Sequence, residues 1–447
     1  MKRILIHNAT LVNEGQTIVG SMVIEDGKIA EILTHGKPLS APCNEMIDAT
    51  GCYLLPGVID EHVHFRDPGL TEKADIFTES CAAAAGGVTS IMDMPNTKPM
   101  TTTLDALQEK FELLSQKSVV NHSCYFGATN DNYMDFGKLD KHQVCGIKLF
   151  MGASTGNMLV DKMRSLVRIF TSTDMLIAAH CEDQQLISKN MESYKMYGGT
   201  DAEVPIRKHA DIRSEKACYA STSLAVKLAK EAQARLHVLH LSTAKELQLF
   251  SNLPLSEKHI TAEACVGHLL FSAKNYRSLG ERIKCNPSIK KHKDMEALRM
   301  AVNSNLIDTI ATDHAPHLLT DKVGGALKAA SGMPMIQFSL VSMLELVDEK
   351  VFSIEKIVEK MCHAPAELYH IDRRGFLREG YYADIVLVRP NAPWTVSKDN
   401  ILSKCKWSPM EGHAFQWKVE KTFANGHLIY DGEHVDDSYR GEALFFN

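Results

Sequence analysis

Leu54-Leu55-Pro56-Gly57-Val58-Ile59-Asp60-Glu61-His62-Val63-His64 is an apolar, strand-like run that ends in two histidines one residue apart. Seven more runs of the same style follow at 88–94, 123–128, 146–151, 175–181, 236–242, 259–266 and 307–314. Helical stretches lie between most of them, at 104–116, 162–171, 211–233, 243–250 and 294–303, while the gaps 129–145 and 267–286 are short or irregular. Strands alternating with helices mean βα units and a parallel sheet, and eight of them mean a closed barrel. The expected fold is therefore α/β, a (β/α)8 TIM-like barrel over residues 51–371.

The two ends of the chain read differently. Short β-type runs occupy 2–12 and 21–33, the second bent at Asp26-Gly27, and the style returns at 383–388 and 419–430, with a tight turn at Asn425-Gly426. Asp-Gly and Asn-Gly between apolar runs are strong hairpin signals, because both central residues must accept positive φ. Neither end has enough strands for a sheet of its own. Residues 1–50 and 372–447 are expected to build one small β-sandwich domain together.

Composition bounds the function. The chain has 447 residues, 45% hydrophobic and 23% charged, with a net charge of −6. That is the balance of a globular protein and excludes disorder over most of the length. The mild acidity excludes a dedicated nucleic-acid binder but not a small anionic substrate, which a few arginines can hold. The 11 cysteines form no C-x-x-C pair and are odd in number, as expected of free thiols in a reducing compartment. His7 and Asn8 interrupt any apolar leader, and no apolar stretch reaches the ~18 residues of a membrane span. The expected address is the cytoplasm, with no membrane partner.

The chemistry gathers at strand ends. Residues two apart on a strand share a face, about 6.6 Å from one Cα to the next, so His62 and His64 can reach one ion. His180 closes the fifth run, His240 lies near the end of the sixth and Asp313 near the end of the eighth. In a βα barrel these positions converge at the C-terminal mouth, where such enzymes place their sites. A single core histidine is usually structural, and H-x-H alone is weak. Four histidines and an aspartate at one level point to a divalent metal such as zinc. Lys148 sits inside the apolar run Gly146-Ile147-Lys148-Leu149-Phe150. A buried ammonium is costly and would repel the ions, so the bland reading has it turning outward or meeting a carboxylate. Carboxylation by CO2 would instead make it an anionic ligand able to bridge two metals.

With these residues in place, the chain resembles the amidohydrolase superfamily and, within it, the long class I dihydroorotases. The resemblance spans nearly the whole chain. It rests on the split β domain, Pro56-Gly57-Val58-Ile59-Asp60 before His62-Val63-His64, Arg66-Asp67-Pro68-Gly69, Gly86-Gly87-Val88-Thr89 and Met94-Pro95-Asn96-Thr97. It continues through Ala179-His180-Cys181-Glu182-Asp183, Asn286-Pro287-Ser288 and Ala311-Thr312-Asp313-His314-Ala315-Pro316-His317. The resemblance implies zinc as cofactor, two ions: His62 and His64 on one, His180 and His240 on the other, carboxylated Lys148 between them. Asp313 would ligate the first metal and carry protons. Arg66, Asn96, Asn286 and His317 match positions that hold the substrate. Many class I relatives carry Asp where this chain has Lys148, which sets it with the carboxylated-lysine members.

The implied reaction is reversible closure of N-carbamoyl-L-aspartate to L-dihydroorotate in pyrimidine biosynthesis. Its chemistry suits the residues, because a metal brings water to a pKa of about 7 and Asp313 can pass the proton to the ring nitrogen. Arg66 separates substrates, since a guanidinium matches a ring carboxylate in two points and hydantoins and allantoin carry none. The bland alternative is a surface arginine paired with Asp67 or Asp75, worth little; no other cation stands out near the site. Asn96 and His317 would complete the carboxylate's bonds, and Asn286 would meet the ring amide edge. A sister allantoinase or hydantoinase is the second reading. A third is an inactive scaffold for aspartate transcarbamoylase, which should have lost ligands that this chain keeps. A homodimer and an aspartate transcarbamoylase partner are both compatible with the resemblance. His268 reads as structural or as supporting the site, the Met-rich stretch 333–346 as barrel-wall packing, and 152–156 as a small polar loop over the site.

Overall fold

The computed structural model describes residues 2–34, 36–152, 158–198 and 204–447. Eight parallel strands form the barrel, in chain order Val58–Val63, Val88–Asp93, Asn121–Cys124 continued by Phe126–Gly127, Ile147–Phe150, Ile177–His180, Leu236–Val238, Ile260–Cys265 and Thr309–Ala311. Each pairs with the next, and a parallel bridge between Val63 and His314, with His64 N donating to His314 O at 2.8 Å, closes the ring. All eight runs read from the sequence carry a barrel strand.

The first run serves two sheets. Tyr53–Pro56 pairs with Arg3–Asn13 and Ile385–Arg389, outside the barrel, and the barrel strand starts only at Val58. Gly57 makes the switch, because a Cβ there would lie 2.1 Å from Thr89 Oγ1. The run 21–33 is likewise two strands, Gln16–Glu25 and Lys28–Leu33, turning through Asp26 (φ 49°) and Gly27 (φ 79°) as the hairpin signal requires. The small domain is a β-sandwich whose strands run in the order His427–Tyr430, Lys418–Ala424, Ile385–Arg389, Tyr53–Pro56, Arg3–Asn13, Gln16–Glu25, Lys28–Leu33, with Glu45–Asp48 on a second edge of Arg3–Asn13. Ile6, Ile24, Leu54, Ile385 and Phe423, contributed by both chain ends, share its core. The chain then returns to the base of the barrel, where Ala443 bridges His122 and Phe446 bridges Ile371.

The helices follow the sequence with two differences. The stretch 243–250 is reduced to the 3-10 turn Glu246–Leu249, because the Glu246 carboxylate turns inward to accept from Thr222 and Thr243 at 2.7 Å each. Among the helices that went unread are Ile76–Ala85, Gln184–Gly198, Ile354–Val358 and Ala364–Tyr369; the first is announced by Asp75, which caps the Thr78 amide while Thr78 caps Asp75 in return. The segment 152–156 falls, from residue 153 on, outside the described residues. No helix is long and apolar enough to cross a membrane among the described residues.

Candidate active site

A cavity of about 600 Å³ opens at the C-terminal mouth of the barrel. His62, His64, Lys148, His180, His240 and Asp313 line it, together with Arg66, Asn96, Asn286 and His317. Every residue singled out from the sequence therefore faces one space. Strand alternation places the pair His62 and His64, and Arg66, Asp313 and His240 take left-handed backbone, with φ of 68°, 49° and 40°. Such conformations cost energy in non-glycine residues and cluster where side chains must be aimed.

The imidazoles are fixed from behind. His62 Nδ1 lies 2.9 Å from Glu263 Oε1, and His64 Nδ1 lies 2.7 Å from Asn96 Oδ1. Both partners are acceptors, so each Nδ1 carries the proton and each Nε2 presents a lone pair. Those lone pairs meet Asp313 Oδ1 at 3.3 and 3.1 Å. On the other side His180 Nε2 donates to Glu182 Oε2 at 2.9 Å, leaving its Nδ1 lone pair 2.9 Å from His240 Nε2. His240 Nδ1 is buried without a partner among the described residues.

At Asp313 acceptors thus converge on an acceptor. Burial above all, only partly offset by Asp313, pushes His64 down to about 4, so a proton on His64 is a poor way to reconcile that ring with Asp313. Burial works to raise the Asp313 carboxyl, but His62, His64 and Lys148 outweigh it and hold the group well below the usual carboxylate range. Ligand atoms of His62, His240 and Asp313 lie within 4.8 Å of one another. A largely buried set of imidazole nitrogens and a carboxylate turned toward one another is what a divalent cation satisfies. The residues fit the metal.

Lys148 is 1% exposed and points neither outward nor at a partner carboxylate. Its Nζ stands 4.6 Å from the Phe150 ring centroid and makes no ion pair among the described residues. Burial brings it down to about 8.

The opposite wall is cationic. Arg66 is buried and donates through Nε to Pro316 O at 3.0 Å, while Nη2 lies 3.0 Å from His317 Nε2. Burial lowers it to about 10. It is not a surface arginine in a local pair, since Asp67 bonds Lys117 at 2.7 Å and Asp75 bonds Lys404 at 2.8 Å. Its loop is anchored on both flanks, by Phe65 N donating to Asp93 Oδ1 at 2.9 Å and by the buried Lys110, which bonds Asp93 and Asp67 O. Asn286 Oδ1 is buried without a partner among the described residues.

The expectation of a single cation fails. Lys73 and Lys98 line the same cavity. Neither lies on a strand, so periodicity gives no warning of them. Their loops are pressed together: Lys98 N donates to Pro68 O at 3.1 Å, and a Cβ on Gly69 would lie 1.8 Å from Lys98 O. Glu263 and Glu182, which orient ligands, also went unread. Glu263 had a signal, a carboxylate in the apolar run Ala262-Glu263-Ala264, which is the argument that singled out Lys148. His268 supports the site from outside the cavity, its Nε2 3.0 Å from Pro287 O beside Asn286.

Fold and site together define a βα-barrel hydrolase with a histidine-rich candidate metal centre at the strand ends. The profile of the amidohydrolase family matches residues 53–429, and the chain belongs to that family. It is 31% identical over 421 residues to the dihydroorotase of Methanosphaera stadtmanae, covering 93% of this chain and 94% of the relative. It is 30% identical over 448 residues to the allantoinase of Bacillus velezensis, covering 99% and 97%. Among solved structures, the L-hydantoinase (dihydropyrimidinase) from Arthrobacter aurescens superposes with a TM-score of 0.91 at 28% identity, covering 97% of each chain.

Proposed function

We propose that this hydrolase acts on a cyclic amide bearing a carboxylate, interconverting L-dihydroorotate and N-carbamoyl-L-aspartate. The observation that carries the reading is Arg66, a buried guanidinium lining the same cavity as the histidine cluster, with no carboxylate hydrogen-bonded to it among the described residues. A buried cation of this kind calls for an anion from outside. Dihydroorotate supplies one on its ring, and allantoin and hydantoin do not.

His62, His64 and Asp313 would hold one zinc ion and His180 and His240 a second, with carboxylated Lys148 between them. When bound, the ions lower the pKa of water to about 7 and polarise the amide carbonyl. The Lys148 amine, without an ion pair among the described residues and shifted toward its neutral form, suits attack on CO2: the neutral amine's lone pair forms the N–C bond, one proton leaves the nitrogen, and the neutral amine becomes an anionic carbamate. Asp313 accepts the proton of the attacking water and delivers it to the ring nitrogen as the C–N bond breaks. Arg66 holds the carboxylate with His317 and the Asn96 amide. Asn286 Oδ1, which has no partner among the described residues, accepts the ring N–H.

The test is ring-opening by the zinc-supplemented protein with dihydroorotate, allantoin and hydantoin side by side. Turnover of dihydroorotate alone is expected. Turnover of an uncharged ring instead favours the allantoinase or hydantoinase reading that two of the relatives suggest. Silence on all three returns the scaffold reading, against which the joint survival of every ligand-type residue now stands.

A further inference from the structure

His317 has three polar neighbours and only two ring nitrogens. Lys73 Nζ lies 3.3 Å from Nδ1, while Ser331 O lies 3.1 Å and Arg66 Nη2 3.0 Å from Nε2. The ring is held neutral, since burial and the charges of Arg66, Lys73 and Lys322 all push its pKa well below normal. One nitrogen therefore carries a proton and the other a lone pair.

The neighbours decide which. With the proton on Nε2, Nδ1 accepts from Lys73 and Nε2 donates to Ser331 O, so two contacts are satisfied and only the approach of Arg66 is not. With the proton on Nδ1, only Arg66 is satisfied, and both the ammonium and the carbonyl oppose the ring. Take Lys73 away and the two forms satisfy one contact each. The ammonium is thus what breaks the tie. Its nearest carboxylate, Asp321, is 3.8 Å away, too far for a strong hydrogen bond, which leaves Lys73 free to serve His317.

We infer that Lys73 is a positioning residue that keeps His317 Nε2 a donor, so that His317 and Arg66 form a two-donor clamp for the substrate's carboxylate. The unsatisfied contact is the working part: Arg66 Nη2 and His317 Nε2 lie 3.0 Å apart, and an acceptor oxygen entering there takes the Arg66 N–H and shares the Nε2–H with Ser331 O. The inference rests on the carboxylate reading proposed above and adds to it how the clamp is set.

Orotate, a planar analogue bearing the ring carboxylate, is the probe, and its binding to the zinc-loaded protein is measured by calorimetry. Lys73→Met should weaken binding roughly 10- to 100-fold, the range for a charge-assisted hydrogen bond, and Lys73→Arg should restore it to within about threefold. In a His317→Ala background, Lys73→Met should change binding by less than about twofold, because the residue it acts through is gone. For dihydroorotate opening, Lys73→Met should raise KM by the same factor as the orotate loss and lower kcat by less than about threefold. An equal loss with and without His317 would make Lys73 an independent charge and overturn the inference, as would no loss in either. If the wild type binds orotate and Lys73→Met binds it equally well, only the role of Lys73 falls. If the wild type does not bind orotate, the carboxylate reading falls and the clamp with it.

Discussion

At the metal end of the cavity each oriented imidazole is held from behind by an acceptor, His62 by Glu263, His64 by Asn96 and His180 by Glu182. Elsewhere in the lining Arg66 and Lys73 meet one neutral imidazole, His317, and Arg66 and His317 lean on the backbone carbonyls of Pro316 and Ser331 instead, with Lys98 lining the same cavity. The first end is built by strands, whose geometry repeats across every βα barrel. The second is built by loops, which vary without disturbing the barrel. That difference explains why relatives acting on different cyclic amides share the architecture so closely: the bond-breaking end is common property, and the end that reads the rest of the ring is where they can part.

Substitutions should separate the two ends. Asp313→Asn removes the acceptor on which both His62 and His64 converge. It should leave the fold intact by circular dichroism and lower kcat by roughly two to four orders of magnitude, the span of general acid–base catalysis; turnover near the wild-type rate would remove Asp313 as proton carrier. Lys148→Ala should lose metal, with retention weakened roughly 10- to 100-fold by elemental analysis, as for other losses in a metal's supporting structure. Short carboxylic acids with added zinc should restore part of the rate. Full metal and full rate in Lys148→Ala would end the carboxylation reading.

Arg66→Met belongs to the other end and should show the opposite pattern. KM for dihydroorotate should rise roughly 30- to 100-fold, as expected for losing a charge-assisted two-point contact, while metal content holds and any turnover of an uncharged ring changes little. Equal effects on charged and uncharged rings would place Arg66 outside the substrate's reach and merge the two ends into one.

What the sequence made legible divides along the same line. The strand ends could be read because periodicity places them, and a histidine or aspartate at the close of an apolar run has few reasons to be there. His62, His64, His180, His240 and Asp313 all carry that mark, and Lys148 carries its inverse, a charge where burial is costly. Glu263 carried the same inverse mark and could have been found by it. Lys73 and Lys98 could not, because loop lysines are ordinary on any surface and only the packing of Gly69 under Lys98 O draws their loops over the cavity. The switch at Gly57 was hidden for a related reason: an unbroken apolar run does not reveal that its two halves bond different neighbours.

Lys98 sets the lower bound of the comparison. It is exposed at the rim, so water and salt screen its charge, and a contact of that kind is worth at most about 1 kcal/mol. Lys98→Ala should therefore raise KM for dihydroorotate by no more than about fivefold at low ionic strength, and the difference should fade as salt is added. Arg66→Met, by contrast, should keep most of its effect in salt, because the group it removes is buried. A salt series on both variants thus separates steering by the rim from recognition in the pocket. If Lys98→Ala proved as costly as Arg66→Met and as indifferent to salt, the rim would have to close over the substrate and bury Lys98 against it.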